Sequence, residues 1–322
     1  MRFLVTGVAG FAGRHLAERL LAAGHEVFGC DRSLPATTSV TRVLNLPADH
    51  LLVCDICDRE QVETVVHTVC PDGLFHLAAF TNPATSFDDP DGAYRANLLG
   101  SLNVFAAVHD AAIPCRVVWV GSSDAYGQVN ADELPVTERN LFRPLNPYAV
   151  SKAAADLAAY QWSRACGLDI VRVRPFNHTG PGQASHFVCA DFALQLAAVK
   201  HHRRPPQIEV GNLDVVRDFS DVRDVVRAYV AVFERGVTGE AYNVCSGSGR
   251  TPCQILERLI ELSGAEVDVV VDPARQRPTD VPVLIGSAAK LRDATGWAPM
   301  IDWDQSLRDL LADWASRVSH DA

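Results

Sequence analysis

The sequence predicts an α/β protein: a doubly wound parallel sheet with a smaller mixed α/β region behind it. Two observations carry this. Short apolar runs alternate with helix-length segments through the first half of the chain, and a glycine cluster separates the first run from the first helix. Strands that alternate with helices need crossover connections, and the crossovers cover both faces of a parallel sheet.

Residues 3–5 read as the first strand and 11–23 as the first helix, closed by Gly24. Further strands follow at 27–30, 51–53, 74–77, 117–120 and 170–173, with helices at 61–69, 93–112 and 148–166. The pattern then changes. From 175 to 206, and again from 246 onward, Gly, Pro and Arg fall at irregular spacing around shorter strands such as 267–271. Residues 221–234 have the apolar period of an amphipathic helix. The expected division is a first domain over 1–174, with 218–240 returning to it, and a second over 175–322. No low-complexity linker separates them, so they pack closely with a cleft between.

Composition narrows the function. Of 322 residues, 48% are hydrophobic and 21% charged, which excludes a disordered chain. Lys and Arg number 29 against 39 Asp and Glu, a net charge of −10. No global field attracts nucleic acid or an anionic membrane, so an anionic ligand must be held by local cations and backbone amides. No apolar run approaches the roughly 18 residues of a spanning helix. Glycines interrupt the apolar amino terminus, and Arg14, His15, Glu18 and Arg19 follow at once, which argues against a signal sequence. Nine cysteines, an odd number, read as reduced thiols in a cytoplasmic protein. Cys54 and Cys57 lack a second pair at zinc spacing, and the neighbours His201 and His202 have poor geometry for one ion. No metal site is expected. Trp119, Trp162, Trp297 and Trp303 read as core or interface aromatics.

Two motifs carry chemistry. Gly7, Gly10 and Gly13 lie between the first strand and the first helix, with Phe11 and Ala12 among them. Glycines there let the backbone approach a pyrophosphate, which the helix N-terminus binds. Asp31 ends the second strand about 24 residues after Gly7, near the spacing of about 20 for a ribose-binding carboxylate. An acid there favours NAD(H), while the adjacent Arg32 suits the 2′-phosphate of NADP(H); the choice stays open. In the second motif, Tyr148 and Lys152 stand one turn apart on one helix face. The ammonium is expected to pull the phenol's pKa down toward neutrality, making Tyr148 a proton donor and acceptor. Ser122, just past the strand at 117–120, would orient the substrate oxygen.

Gly7-x-x-Gly10-x-x-Gly13, Ser122, Tyr148 and Lys152 together resemble the extended short-chain dehydrogenases/reductases, in the branch that acts on nucleotide-diphosphate sugars. The resemblance spans essentially the whole chain. Asn146-Pro147-Tyr148-Ala149-Val150-Ser151-Lys152, the run Arg174 to Gln183, Arg217-Asp218-Phe219, Tyr242 to Gly247 and Asp272-Pro273-Ala274-Arg275 are similar to the group of GDP-4-dehydro-6-deoxy-D-mannose reductases and GDP-mannose 4,6-dehydratases. The resemblance implies a seven-stranded Rossmann domain, a C-terminal domain holding a sugar nucleotide (a GDP-sugar favoured), and a homodimer built on the two long helices. It implies NAD(H) or NADP(H) as cofactor, with Asp55 and Ile56 at the adenine and Ala78, Ala79 and Phe80 along the cofactor wall. Asn97 is placed beside the cofactor, supporting the active-site helix through water. Asn177, Arg217 and Arg277 would meet the diphosphate, and Val188 and Asp280 the base and ribose.

Reductase and dehydratase differ at Asp124. Dehydratases of this branch carry a glutamate two residues before the Tyr-Gly pair, here Tyr126-Gly127. An aspartate is withdrawn by about 1.5 Å, a displacement of the kind that costs about 100-fold. Asp124 is therefore expected to bind a substrate hydroxyl or to act structurally. The expected reaction is reduction of a 4-keto-6-deoxy sugar nucleotide, GDP-4-dehydro-6-deoxy-D-mannose to GDP-D-rhamnose. The alternatives are a 4,6-dehydratase, a 4-epimerase and, in a different class, a non-catalytic dinucleotide sensor.

Overall fold

The computed structural model describes residues 1–34, 46–275 and 281–320. Strands β1 (Arg2–Thr6), β2 (Glu26–Asp31), β3 (Leu51–Val53), β4 (Gly73–His76), β5 (Arg116–Val120) and β6 (Ile170–Pro175) alternate with helices, as the periodicity predicts. Then come β7 (Asn177–Thr179), β8 (Gln207–Val210), β9 (Val216–Asp221), β10 (Ala241–Val244), β11 (Gly249–Arg250), β12 (Asp268–Val271) and β13 (Val283–Leu284).

Seven parallel strands form the central sheet in the order β10-β6-β5-β4-β1-β2-β3. The connections reverse direction between β1 and β4, which opens a crevice at the carboxyl ends of those strands. Successive residues of β1 serve opposite layers: Phe3 and Val5 pack into one core, and Leu4 into the other. The first core lies under helices Phe11–Ala22 and Val222–Arg235. The second helix buries Val222, Val225, Val226, Tyr229, Val232 and Phe233, one helical stripe. The other core lies under Arg59–Val69, Gly100–Asp110 and Pro147–Ala165.

Two elements depart from the sequence reading. Residues 241–244, expected in the second region, pair with β6 and complete the central sheet. Ala-Tyr-Asn-Val is too short and too mixed to show a period. The helix expected over 93–112 runs as Pro90–Tyr94, a π-helical turn Arg95–Leu99, and Gly100–Asp110. Such turns concentrate at functional sites, and no residue pattern announces them.

The second region joins β11, β9, β13 and β7 in one small sheet and β8 with β12 in another. Its core gathers Phe192, Leu196, Ile208, Phe219, Leu259 and Leu307. Beneath the junction, Asp156 of helix Pro147–Ala165 takes hydrogen bonds from Arg172 Nη1 and from Arg174 Nε and Nη2, the latter two at 2.8 Å each. Arg174 also donates to Tyr126 Oη at 2.9 Å, and Tyr126 donates to Asn243 Oδ1 at 2.7 Å. One carboxylate thereby links the active-site helix to β6 and, through Tyr126, to β10.

Asp156 is 1% exposed. Asp156→Ala would strand two buried guanidinium groups and should cost about 3–5 kcal/mol of stability, read as a lower urea midpoint at unchanged slope.

Candidate active site

The crevice is walled by the glycine loop. Gly7 has φ +73°, and a Cβ there would sit 2.7 Å from Ala78 N. A Cβ on Gly13 would sit 2.1 Å from Gly7 O. Only glycines let loop, helix and β4 approach this closely. Helix Phe11–Ala22 opens at Gly10 with no side-chain cap and no acid in its first turn, so its free amides face the crevice unblocked. Asp31 backs the loop, accepting from Ala9 N at 3.2 Å and Arg32 N at 2.8 Å. Burial pushes its carboxyl above the ordinary range. The Arg32 side chain is exposed beside it. Phe11 stacks on His178, centroids 5.9 Å apart, and joins the loop to the second region. This cradle and open helix end fit a dinucleotide pyrophosphate.

Across the crevice, helix Pro147–Ala165 begins with Pro147 at its first turn and Asn146 as cap, the Asn146 side chain accepting from Ala149 N at 2.8 Å. This start places Tyr148 and Lys152 one turn apart, facing the end of β5. Ser122 lies near enough to the Tyr148 phenol to favour its phenolate, and Ser122 Oγ accepts from Asp124 N at 3.1 Å. Lys152 Nζ donates to Val120 O at 2.9 Å. The four residues Ser122, Asp124, Tyr148 and Lys152 therefore form one cluster.

Its electrostatics correct one expectation. Tyr148 is pushed up, not down: burial disfavours the phenolate and the Asp124 carboxylate repels it, against a smaller opposing effect from Ser122. Burial meanwhile pushes Lys152 down to about 8. In the protein alone the phenol keeps its proton at neutral pH, the state a proton donor needs.

Asn97 is also corrected. It sits in the π-turn, 1% exposed. Its Oδ1 accepts from Phe80 N at 2.8 Å, and its Nδ2 donates to Phe80 O at 3.1 Å and Ser151 Oγ at 2.8 Å. Both donors are spent on protein, so Asn97 braces the helix directly and not through water. Ser151 passes the tie to Tyr148 O at 2.7 Å. The Ser86 hydroxyl accepts from Tyr148 N at 3.2 Å, a support that sequence reasoning missed because nothing in the local pattern marks it.

The remaining assignments divide. Ala78 and Ala79 follow β4 at the loop wall, partly exposed, with Ala78 N donating to Thr6 Oγ1 at 3.2 Å. Asp55 is half-buried past β3, its Oδ1 accepting from Cys57 N at 2.9 Å. Ile56, next to Asp55, packs its side chain within the apolar cluster, against Gly100. Asn177 lies on β7, half-buried, and Val188 opens helix Val188–Lys200. Arg217, on β9, donates to Val216 O at 3.0 Å. Arg277 and Asp280 lie outside the described residues. Among the described residues no group of three His, Cys, Asp or Glu side chains is placed to hold a metal ion.

A family model described as GDP-mannose 4,6 dehydratase matches residues 4–310. The chain is 38% identical over 317 residues to the GDP-6-deoxy-D-mannose reductase of Pseudomonas aeruginosa, covering 98% of both proteins. It is 28% identical over 337 residues to GDP-mannose 4,6 dehydratase 2 of Caenorhabditis elegans, covering 96% of this chain and 87% of that one. Among solved structures, RMD from Pseudomonas aeruginosa complexed with NADPH superposes with a TM-score of 0.86 at 36% identity, covering 98% and 99% of the two chains. The Thermus thermophilus UDP-glucose 4-epimerase complex with NAD superposes with a TM-score of 0.86 at 31% identity and the same coverage.

Gly13→Ala should abolish dinucleotide binding, measured by calorimetry with the reduced and oxidised cofactors, while the far-ultraviolet dichroism of the fold persists. Retained affinity would mean that the loop is not the cradle.

Proposed function

Because the chain belongs to the GDP-mannose 4,6-dehydratase family of the extended short-chain dehydrogenases/reductases, we propose that it is an NAD(P)H-dependent reductase of a nucleotide-activated 4-keto-6-deoxy sugar, taking GDP-4-dehydro-6-deoxy-D-mannose to GDP-D-rhamnose. The observation that carries this reading is the placing of Tyr148 and Lys152 one turn apart on helix Pro147–Ala165, with Lys152 at the end of β5 next to Ser122, across from the glycine loop. Gly7, Gly10, Phe11, Ala12 and Gly13 would hold the pyrophosphate, Asp31 and Arg32 the adenosine ribose, and Ala78 and Ala79 the wall. When bound, the reduced nicotinamide supplies hydride to the ketone carbon.

The chain's own residues do the rest. Tyr148 gives its phenolic proton to the oxygen at sugar C4, and Ser122 hydrogen-bonds that oxygen as negative charge develops. Lys152, one turn away, steadies the phenolate left behind. Asp124 lies near enough to act on Tyr148. Its carboxylate favours the protonated donor, which suits reduction, and it is shorter than the glutamate that elimination would use. Asn177 and Arg217, with Arg277, are assigned to the diphosphate, and Val188 and Asp280 to the base and ribose.

Tyr148→Phe should keep cofactor affinity and lose NAD(P)H oxidation by at least about 100-fold; unchanged turnover removes the assignment. Reduced cofactor should be consumed with the 4-keto-6-deoxy sugar nucleotide and not with GDP-mannose alone. A keto-sugar formed from GDP-mannose would make the protein a dehydratase.

The assembly we assign is a homodimer through the two long helices. Leu99, Val150, Leu157 and Tyr160 are exposed on them, apolar surface of a kind that partners cover. We place the protein in the cytoplasm, in keeping with nine unbridged thiols. Among the described residues no helix is long and apolar enough to cross a membrane. By light scattering the native protein should run at twice the chain mass and Leu157→Glu at the chain mass; equal masses would discard this interface.

A further inference from the structure

Lys152 poses an electrostatic problem. It is one of three lysines in the chain and only 6% exposed. Among the described residues no carboxylate pairs with it, and burial is the sole influence lowering its pKa. A buried ammonium without a counter-charge tends to give up its proton. The Val120 carbonyl accepts from Nζ, the Trp119 indole lies with its ring centroid 5.5 Å from Nζ, and His76 is near enough to feel its charge. We propose that the indole face of Trp119 takes the place of a carboxylate in keeping Lys152 an ammonium, and that His76 and Ser101 are the positioning residues that hold the indole under it.

The hydrogen bonds support this because their directions are forced. Trp119, 1% exposed, donates Nε1–H to Ser101 Oγ at 3.0 Å. Ser101 gives its own proton to Asn97 O at 2.7 Å. Toward His76 Nε2, at 3.2 Å, Ser101 can then only accept, so Nε2 carries the hydrogen. His76 Nδ1 is therefore bare, and it takes the proton of Thr6 Oγ1 at 2.7 Å. Thr6 in turn accepts from Ala78 N. Burial with the nearby Lys152 charge pushes this imidazole down to about 3. The histidine beside the lysine thus stays neutral and adds no repulsion.

The other titratable groups near Lys152 leave the indole's role intact. Tyr148, on the same helix, keeps its proton, and Tyr229, which Tyr148 influences, is likewise pushed up. Asp124 acts on Tyr148. A cation over an indole face is attracted by the ring quadrupole, most strongly where water is excluded, and indole exceeds phenyl. The chain thereby holds a cation beside the phenol without adding an anion that would oppose the phenolate.

This inference rests on Lys152 as the catalytic cation, so the test reads the amine and not turnover. The ligand-free protein is acylated with acetic anhydride across a pH series, and peptide mass spectrometry follows Lys152, with Lys200 and Lys290 as internal references. Tryptophan at 119 is replaced site-specifically by ring-fluorinated analogues, which drain the negative face and barely change shape. The Lys152 midpoint, which burial lowers, should fall further and stepwise with fluorination, by about one pH unit at the highest substitution, a tenfold change in ionisation constant. Trp119→Phe should fall between, and the two reference lysines should not move. A Lys152 midpoint indifferent to fluorination overturns the proposal, since a purely structural indole predicts that result. Ketone reduction is followed on the same samples. A moving midpoint without reduction refutes the reductase reading alone, and reduction with a fixed midpoint refutes the pairing alone.

Discussion

Three hydrogen bonds of one buried amide decide where the chemistry stands. Asn97 holds both backbone groups of Phe80, in the segment that walls the cofactor crevice, and the hydroxyl of Ser151, on the helix that carries Tyr148 and Lys152. The crevice wall and the Tyr148 phenol belong to segments some seventy residues apart in the chain. Without a rigid tie their separation would drift, and a displacement of about 1 Å is enough to cost about 100-fold in rate. The amide projects from the π-turn Arg95–Leu99.

Burial acts on Tyr148 and Lys152 in opposite senses. A phenol is charged when it has lost its proton and an amine when it has kept it, so the same dry surroundings raise one pKa and lower the other. The result is a neutral acid beside a weakened cation, both poised to exchange charge once a reacting oxygen arrives. The Asp124 carboxylate biases the pair further toward holding the phenolic proton, the bias wanted where the chemistry consumes a proton.

Much of this is legible in the residues. The glycine spacing, the acid closing the second strand and the Tyr148/Lys152 pair each owe their geometry to local rules: a tight turn, a strand end, one helical turn. The sheet follows because its strands are buried on both faces and read as continuous apolar runs. What stays hidden depends on distant partners. Ser86 reaches Tyr148 N only through the folded chain, and the π-turn leaves no periodic mark. The sign of the Tyr148 shift escapes for the same reason: spacing along a helix shows a neighbour's charge but not the loss of water around it.

The placement of β10 has a consequence for synthesis. The edge of the central sheet beyond β6 is closed by a strand translated about seventy residues later, after only the first part of the second region has been made. A nascent chain that has emerged only through β6 therefore presents an open row of amides and carbonyls, together with the bare apolar flank that helix Val222–Arg235 will cover. The ribosome cannot hand over a finished first lobe and then a second. The two lobes must mature together, and a gene fragment cut between them encodes a sticky intermediate in place of a working cofactor-binding module.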